Sequence, residues 1–272
     1  MYDKHLRWLI SPFPPDSLAR RIGKRLFRGL TLKQDFYGGV IFFDAVGQSW
    51  AFKGLRYEML DAKLRDDLLT LSMGCQHFID IGCNVGAMTL SVLLRNKNIN
   101  AVCADPNSRA IALLKKSVRR NQLGHRVVIN EAAVGDKNGH LHVHFAGKSS
   151  EMGYVSDSGK RVASLDFVGL INQYSAHKCL VKIDIEGFET TLLRRIGQIA
   201  NLSNACFVIE LHPLGYNDAG NPCECVNLLQ RNGAIVKRLD GLELSKIAPH
   251  EFTQVVAEWN TCLLYTSPSP RD

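Results

Sequence analysis

The chain has 272 residues, 46% of them hydrophobic and 22% charged, with 33 Lys+Arg against 26 Asp+Glu for a formal net charge of +7. That length holds one large α/β domain or two small ones, and the composition excludes a disordered or collagen-like chain. No apolar stretch approaches the ~20 residues a membrane-crossing helix requires, which excludes a transmembrane segment.

The charge is concentrated at one end. Residues 1–33 form a basic arm with eight Lys/Arg against Asp3 and Asp16, a balance of +6, and the remaining 239 residues carry only +1. Trp8-Leu9-Ile10 is cut short by Ser11-Pro12-Phe13-Pro14-Pro15, so no secretory signal is expected. After the prolines, Asp16 or Ser17 can cap a helix with Leu18, Ile22, Leu26 and Leu30 at fourfold spacing and arginines on its other faces. Such a helix, over residues 17–30, suits peripheral contact with an anionic membrane or with phosphates. The alternative is a helix docked on the body with a solvated basic side.

Residues 34–74 predict a small hairpin and a helix leading into the core. The hairpin spans residues 34–53, from the apolar clusters 36–43 and 46–52. The helix covers residues 55–72, with Leu60, Leu64, Leu68 and Leu71 at helical spacing. From residue 75 to 262 apolar runs alternate with amphipathic segments. Strands are predicted at 77–82, 99–104, 126–131, 179–185, 204–211, 233–239 and 253–259, and helices at 86–95, 107–122, 166–174, 187–200 and 222–231. This alternation predicts a mostly parallel sheet covered by helices on both faces. An extra strand, Leu141–Phe145, follows the third run. The segment 147–163 is polar and aperiodic, and is read as a long loop in which Tyr154 and its neighbours cover the acceptor; plain surface disorder is the alternative. Residues 263–272, with two prolines and no periodicity, are read as a disordered tail resembling translated vector or adapter sequence.

The eight cysteines contain no CxxC pair. Cys83, Cys103, Cys179 and Cys206 lie in or beside the apolar runs, where a free thiol acts as a small hydrophobe, so a reducing compartment, the cytoplasm, is expected. Cys223-Glu-Cys225 reads as a soft-metal or redox pair or as the plain start of a helix.

In a doubly wound sheet the ligand sits at the carboxyl ends of the strands, where strand order reverses. The first run ends Asp80-Ile-Gly82-Cys-Asn84-Val-Gly86, a glycine turn into a helix with free amides. It is neither the GxGxxG fingerprint nor a phosphate loop, and Asp80 points to a cationic or amine-bearing ligand. The second run ends in Asp105, about 20 residues on, where an acid holds a ribose diol; the alternative is a helix cap. The fourth run ends Lys182-Ile-Asp184-Ile-Glu186-Gly-Phe-Glu189, with Lys182, Asp184 and Glu186 on one side. Lys182 is expected to pair with a carboxylate, since charges are rarely buried unpaired. The fifth run adds Glu210 and His212.

Phe78–Gly86, Ala104-Asp-Pro-Asn107, Asn130-Glu-Ala-Ala-Val134, Ser164-Leu-Asp166, Val181–Glu189 and Ile209-Glu-Leu-His-Pro213 together resemble the FkbM family of S-adenosylmethionine-dependent methyltransferases, over roughly residues 36–260. Asp105 departs from the glutamate common there. The resemblance implies a class I methyltransferase Rossmann-like sheet with a reversed last strand and S-adenosylmethionine at its carboxyl edge. It places Asp80, Gly82, Asn84 and Gly86 around the methionine part, Asp105 on the ribose, and Glu131 or Ala132 near adenine. It also implies O-methylation of a sugar, glycan or other small-molecule hydroxyl.

A hydroxyl needs a base as its proton leaves; the candidates are Glu186, Asp184 and His212, in that order, with Glu210 behind. A divalent metal on Asp184 and Glu186, with Glu210 as an optional third ligand, is a lesser reading, as is one on His140, His142 and His144, whose alternative is a solvated edge strand; no metal is assigned. The competing functions are RNA methylation, with the basic arm gripping phosphates, and a non-catalytic S-adenosylmethionine- or nucleotide-binding module.

Overall fold

A computed structural model describes residues 30–44, 61–145, 153–156, 158–213, 220–244, 246–248 and 252–259. The predicted basic helix up to residue 29, the 46–52 cluster and the tail lie outside the described residues.

In chain order the elements are β1 (Thr31–Phe36), β2 (Gly39–Asp44), α1 (Ala62–Leu71), β3 (His77–Ile81), α2 (Ala87–Arg95), β4 (Asn100–Ala104), α3 (Ser108–Arg120) and β5 (Val127–Asn130). Then come β6 (Ala133–Gly135), β7 (Gly139–Phe145), β8 (Gly153–Val155), β9 (Lys160–Asp166), α4 (Phe167–Asn172), β10 (Cys179–Ile183) and α5 (Glu189–Leu193). The series closes with β11 (Ala205–Leu211), α6 (Pro222–Arg231), β12 (Ile235–Arg238) and β13 (Thr253–Glu258).

Seven strands form the central sheet in the order β12-β13-β11-β10-β3-β4-β5. The pairs from β11 through β10, β3 and β4 to β5 are parallel, and β13 runs antiparallel to both its neighbours. From β3 the chain steps through β4 to β5 on one side and later through β10 to β11 on the other, so the order reverses between β3 and β10. The strands read as continuous apolar runs because each face is covered. Ile79, Ile81, Val181, Ile183, Phe207 and Ile209 join one buried cluster, while Phe78, Leu180, Cys206 and Val208 join the other. The second face also receives the charged positions, with Lys182 directly opposite Asp80 in register.

The hairpin turns earlier than predicted. Tyr37 and Gly38, with φ of 46° and 78°, make a two-residue turn inside the first apolar cluster. Phe36, Ile41 and Phe43 are buried, and β2, which carries Ile41 and Phe43, is clamped to α3 and its C-terminal cap. The amide and carbonyl of Val40 bond Asn121 Oδ1 and Nδ2 at 2.8 and 2.7 Å, and the Phe42 amide donates to Ser117 Oγ at 2.9 Å. An exposed strand edge is thus satisfied by helix side chains.

Four further expectations are corrected. The single extra strand is part of a four-stranded sheet, β6-β9-β7-β8, and the segment read as a loop over 147–163 contributes β8 and the start of β9. Backbone pairing supplies what apolar periodicity lacks: β9 buries only Val162 and Ser164. His140, His142 and His144 are exposed on one face of β7, which is an interior strand rather than an edge. The helix predicted over 187–200 is shorter, with α5 followed by a 3₁₀ turn at Ile196–Gln198. Cys223 and Cys225 fall in the first turn of α6, capped by Asn221, and all seven described cysteines are free thiols.

Candidate functional site: a cleft at the carboxyl ends of β3, β4 and β10

The glycine turn after β3 is built for close approach. Gly82, Asn84 and Gly86 have φ of 79°, 49° and 80°, conformations that glycine takes freely and asparagine tolerates. A Cβ on Gly82 would lie 1.8 Å from the carbonyl oxygen of Asp184, so the ends of β3 and β10 can meet only there without a side chain. Asp105 holds the turn from the next strand. Its Oδ2 accepts the Asn84 amide at 2.9 Å and its Oδ1 accepts the Asn107 amide at 2.8 Å. Burial pushes the Asp105 carboxyl up to about 6, against the pull of those two amides. Asn107, rather than Asp105, caps α3, accepting the Arg109 and Ala110 amides.

Across the cleft lies an acidic cluster on one buried cation. Lys182, 2% exposed, places Nζ 2.9 Å from Asp184 Oδ2 and 3.1 Å from Glu210 Oε1. Burial alone would lower its pKa, but Asp184, Glu210 and Asp80 raise it, so Lys182 is charged. The expected pairing of Lys182 is therefore present. Asp184 and Glu186 lie past the end of β10, and Glu186 is in the left-handed region at φ 54°. Burial raises the Glu186 pKa, opposed by the charge of His212. His212 donates from Nδ1 to Glu189 Oε1 at 2.8 Å, and its Nε2 faces Asp184 Oδ1 at 3.8 Å and Glu186 Oε2 at 3.6 Å. Burial would lower His212, but the Glu189 hydrogen bond and the surrounding carboxylates raise it to about 9. At neutral pH this imidazole is cationic, which removes it as a ready proton acceptor and leaves the carboxylates in that role.

Between these walls is an open cleft of about 730 Å³, mouth included. Gly82, Asn84, Asp105, Ala132, Asp184 and Glu186 line it. His212 joins through its contacts with Asp184 and Glu186. Three predicted residues are placed elsewhere. Asp80 is fully buried behind the turn and accepts from Thr89 Oγ1 at 2.6 Å, and burial raises its pKa. Gly86 precedes α2 against Leu114, and Glu131 is exposed outside the lining. The side chain of Tyr154 lies outside the described residues, but its neighbour Val155 lines the cleft together with Val143 and Phe145 of β7. Those apolar walls escaped the sequence reading, although the alternation with His140, His142 and His144 places them on the opposite face. Glu189, which orients His212, carries no sequence signal for that contact, since it lies 23 residues away in the chain. Asp184 and Glu186 are brought together, whereas Glu210, the optional third carboxylate, is held by Lys182 and Gln254.

The strand order, with a single antiparallel strand between β11 and β12 and the cleft at the order reversal, is that of the class I methyltransferase fold. A family model for the methyltransferase small domain matches residues 66–143. Among solved structures, a putative transferase from Pyrococcus horikoshii is 11% identical, with 84% of this chain and 70% of that one covered and a TM-score of 0.49. TYW2 from M. jannaschii, in complex with AdoMet, is 13% identical, with 84% of each chain covered and a TM-score of 0.46. An O-methyltransferase from Bacillus cereus, in complex with SAH, is 10% identical over 77% of this chain and 86% of that one, with a TM-score of 0.43. No curated protein sequence matches the chain significantly. No helix among the described residues is long and apolar enough to cross a membrane.

Proposed function

We propose that the chain is an S-adenosylmethionine-dependent methyltransferase that transfers the methyl group to a hydroxyl of a sugar, glycan or other small molecule, as its resemblance to the FkbM family implies. The observation that carries this reading is Asp105. It is a carboxylate held by two backbone amides at the end of β4, facing a cleft that ends in Asp184 and Glu186.

The residues present fit that donor. Asp105 keeps lone pairs for a ribose diol, Gly82 and Asn84 leave backbone near the methionine part, and Val134, Val143 and Phe145 offer an apolar wall to adenine. The net negative lining favours a sulfonium. When bound, the donor supplies an electrophilic methyl group whose carbon–sulfur bond breaks as the acceptor oxygen attacks.

The rest of the work is positioning and proton removal. Glu186, at the cleft margin with a raised pKa, takes the acceptor's hydroxyl proton. Asp184 is committed on one oxygen to Lys182 and orients the other. Asp80 fixes the turn through Thr89 and shares the charge of Lys182. Phe252, half exposed with its ring 5.4 Å from the imidazole of His212, gives a ring-shaped acceptor a surface to lie on. The buried free thiols favour a reducing compartment such as the cytoplasm.

The test is incubation with methyl-labelled donor and fractionated glycans, lipids and RNA. Label in the glycan or small-molecule fraction supports the reading, and label confined to RNA or protein overturns it. Glu186→Gln is expected to lower kcat by roughly 10²–10⁴-fold while donor affinity measured by calorimetry stays within about twofold.

A further inference from the structure

We propose that Asp184, Glu186 and His212 form a binding site for one divalent cation of the Mn²⁺ class. The inference deepens the reading above, on which its catalytic consequence rests.

Asp184 Oδ1, Glu186 Oε2 and His212 Nε2 all lie within 4.8 Å of one another at the cleft's acidic end. His212 Nε2 is 3.8 and 3.6 Å from the two carboxylate oxygens. Those separations are too long for hydrogen bonds, yet close to the spacing of neighbouring ligands around a cation with metal–ligand bonds of about 2.1–2.3 Å. An independent feature lies on the far side of the ring. Glu189, 3% exposed at its side chain, accepts from Nδ1 at 2.8 Å. That fixes the ring and directs Nε2 to the carboxylates, as outer carboxylates do for metal-bound histidines.

Charge points the same way. Lys182 is occupied by Asp184 Oδ2 and Glu210, which leaves Oδ1 of Asp184, Glu186 and Glu189 around a single imidazole. The ion replaces the proton that the free protein holds on His212 Nε2 and releases it to solvent, and two carboxylates with one neutral imidazole suit a borderline-hard divalent ion better than a thiophilic one.

The cation would take the acceptor hydroxyl as a further ligand. The hydroxyl proton passes to the second oxygen of Glu186 and the oxygen stays on the ion. Its lone pair forms the O–CH₃ bond, and the C–S pair returns to sulfur, leaving a neutral thioether.

The experiment titrates the metal-free full-length chain with MnCl₂ and follows the free-ion signal by electron paramagnetic resonance, with S-adenosylmethionine calorimetry on the same sample. One Mn²⁺ per chain is expected. Asp184→Asn and Glu186→Gln should each weaken binding at least tenfold, and Glu189→Gln, which touches no ion, should weaken it roughly 10–100-fold. Circular dichroism verifies the fold of each variant; because Glu189 is buried, the partly exposed Glu186→Gln decides if Glu189→Gln fails to fold. No uptake by millimolar Mn²⁺, or uptake unchanged in Glu186→Gln, overturns the site. Donor heat without Mn²⁺ uptake defeats this inference alone, whereas Mn²⁺ uptake without donor heat defeats the methyltransferase reading and leaves the cation site standing.

Discussion

Lys182 offers a measurable test of how the cleft is held together. Its ammonium is buried between Asp184 and Glu210 at 2.9 and 3.1 Å, opposite Asp80 in the neighbouring strand. At an effective dielectric of about 20, each contact is worth roughly 5 kcal/mol of gross attraction, most of it offset by the desolvation of the charges. Lys182→Met removes the attraction and leaves the carboxylates in place, so the desolvation cost remains uncompensated. The expected loss is about 3–5 kcal/mol, or a Tm fall of roughly 10 °C for a domain of this size.

The companion Glu210→Gln variant separates charge from packing. It leaves Lys182 with Asp184 and should cost less, and the double variant should be more stable than Lys182→Met alone by at least about 1 kcal/mol, because one orphaned charge is gone. Urea denaturation of the wild type and three variants completes the cycle. A loss below about 1 kcal/mol in Lys182→Met, or strictly additive effects, would show that the buried ion cluster does not support the fold as argued.

Two more outcomes can be measured. The folded-state pKa of Asp105 is raised from 3.8 to about 6, so the free protein should lose stability as pH rises through about 6. Donor affinity, which needs the carboxylate, should instead fall about tenfold per pH unit below 6; calorimetry from pH 5 to 8 checks it, and Asp105→Asn should abolish the dependence. Gly82→Ala places a Cβ against the Asp184 carbonyl at positive φ and should destabilise by at least about 2 kcal/mol while weakening donor binding. Wild-type values for both quantities would contradict the close approach of β3 and β10.

Much of the site is legible in the chain because strand ends are legible. Apolar runs buried on both faces stop where the polar residues begin, which brings Gly82, Asn84, Asp105, Asp184, Glu186 and His212 to one edge without any knowledge of the partners. The four-stranded sheet of β6 to β9 was not legible, since its short strands are held by backbone bonds and bury few side chains, so periodicity is weak. Asp80 illustrates the same limit: its place in the motif marks importance, but only the packing of α2 shows that its carboxylate binds Thr89 behind the turn.

What the amino-acid order determines by itself is local: where each strand ends, which residue types gather at the sheet's edge, and where glycine or asparagine must take positive φ. Distances between residues far apart in the chain were decided by tertiary structure alone. The reach of Glu189 to His212, the position of Lys182 between Asp184 and Glu210, and the Val143–Phe145 wall over the cleft depend on how separate segments pack. Such contacts carry no periodic signal, because each partner fits its own local pattern equally well without the other.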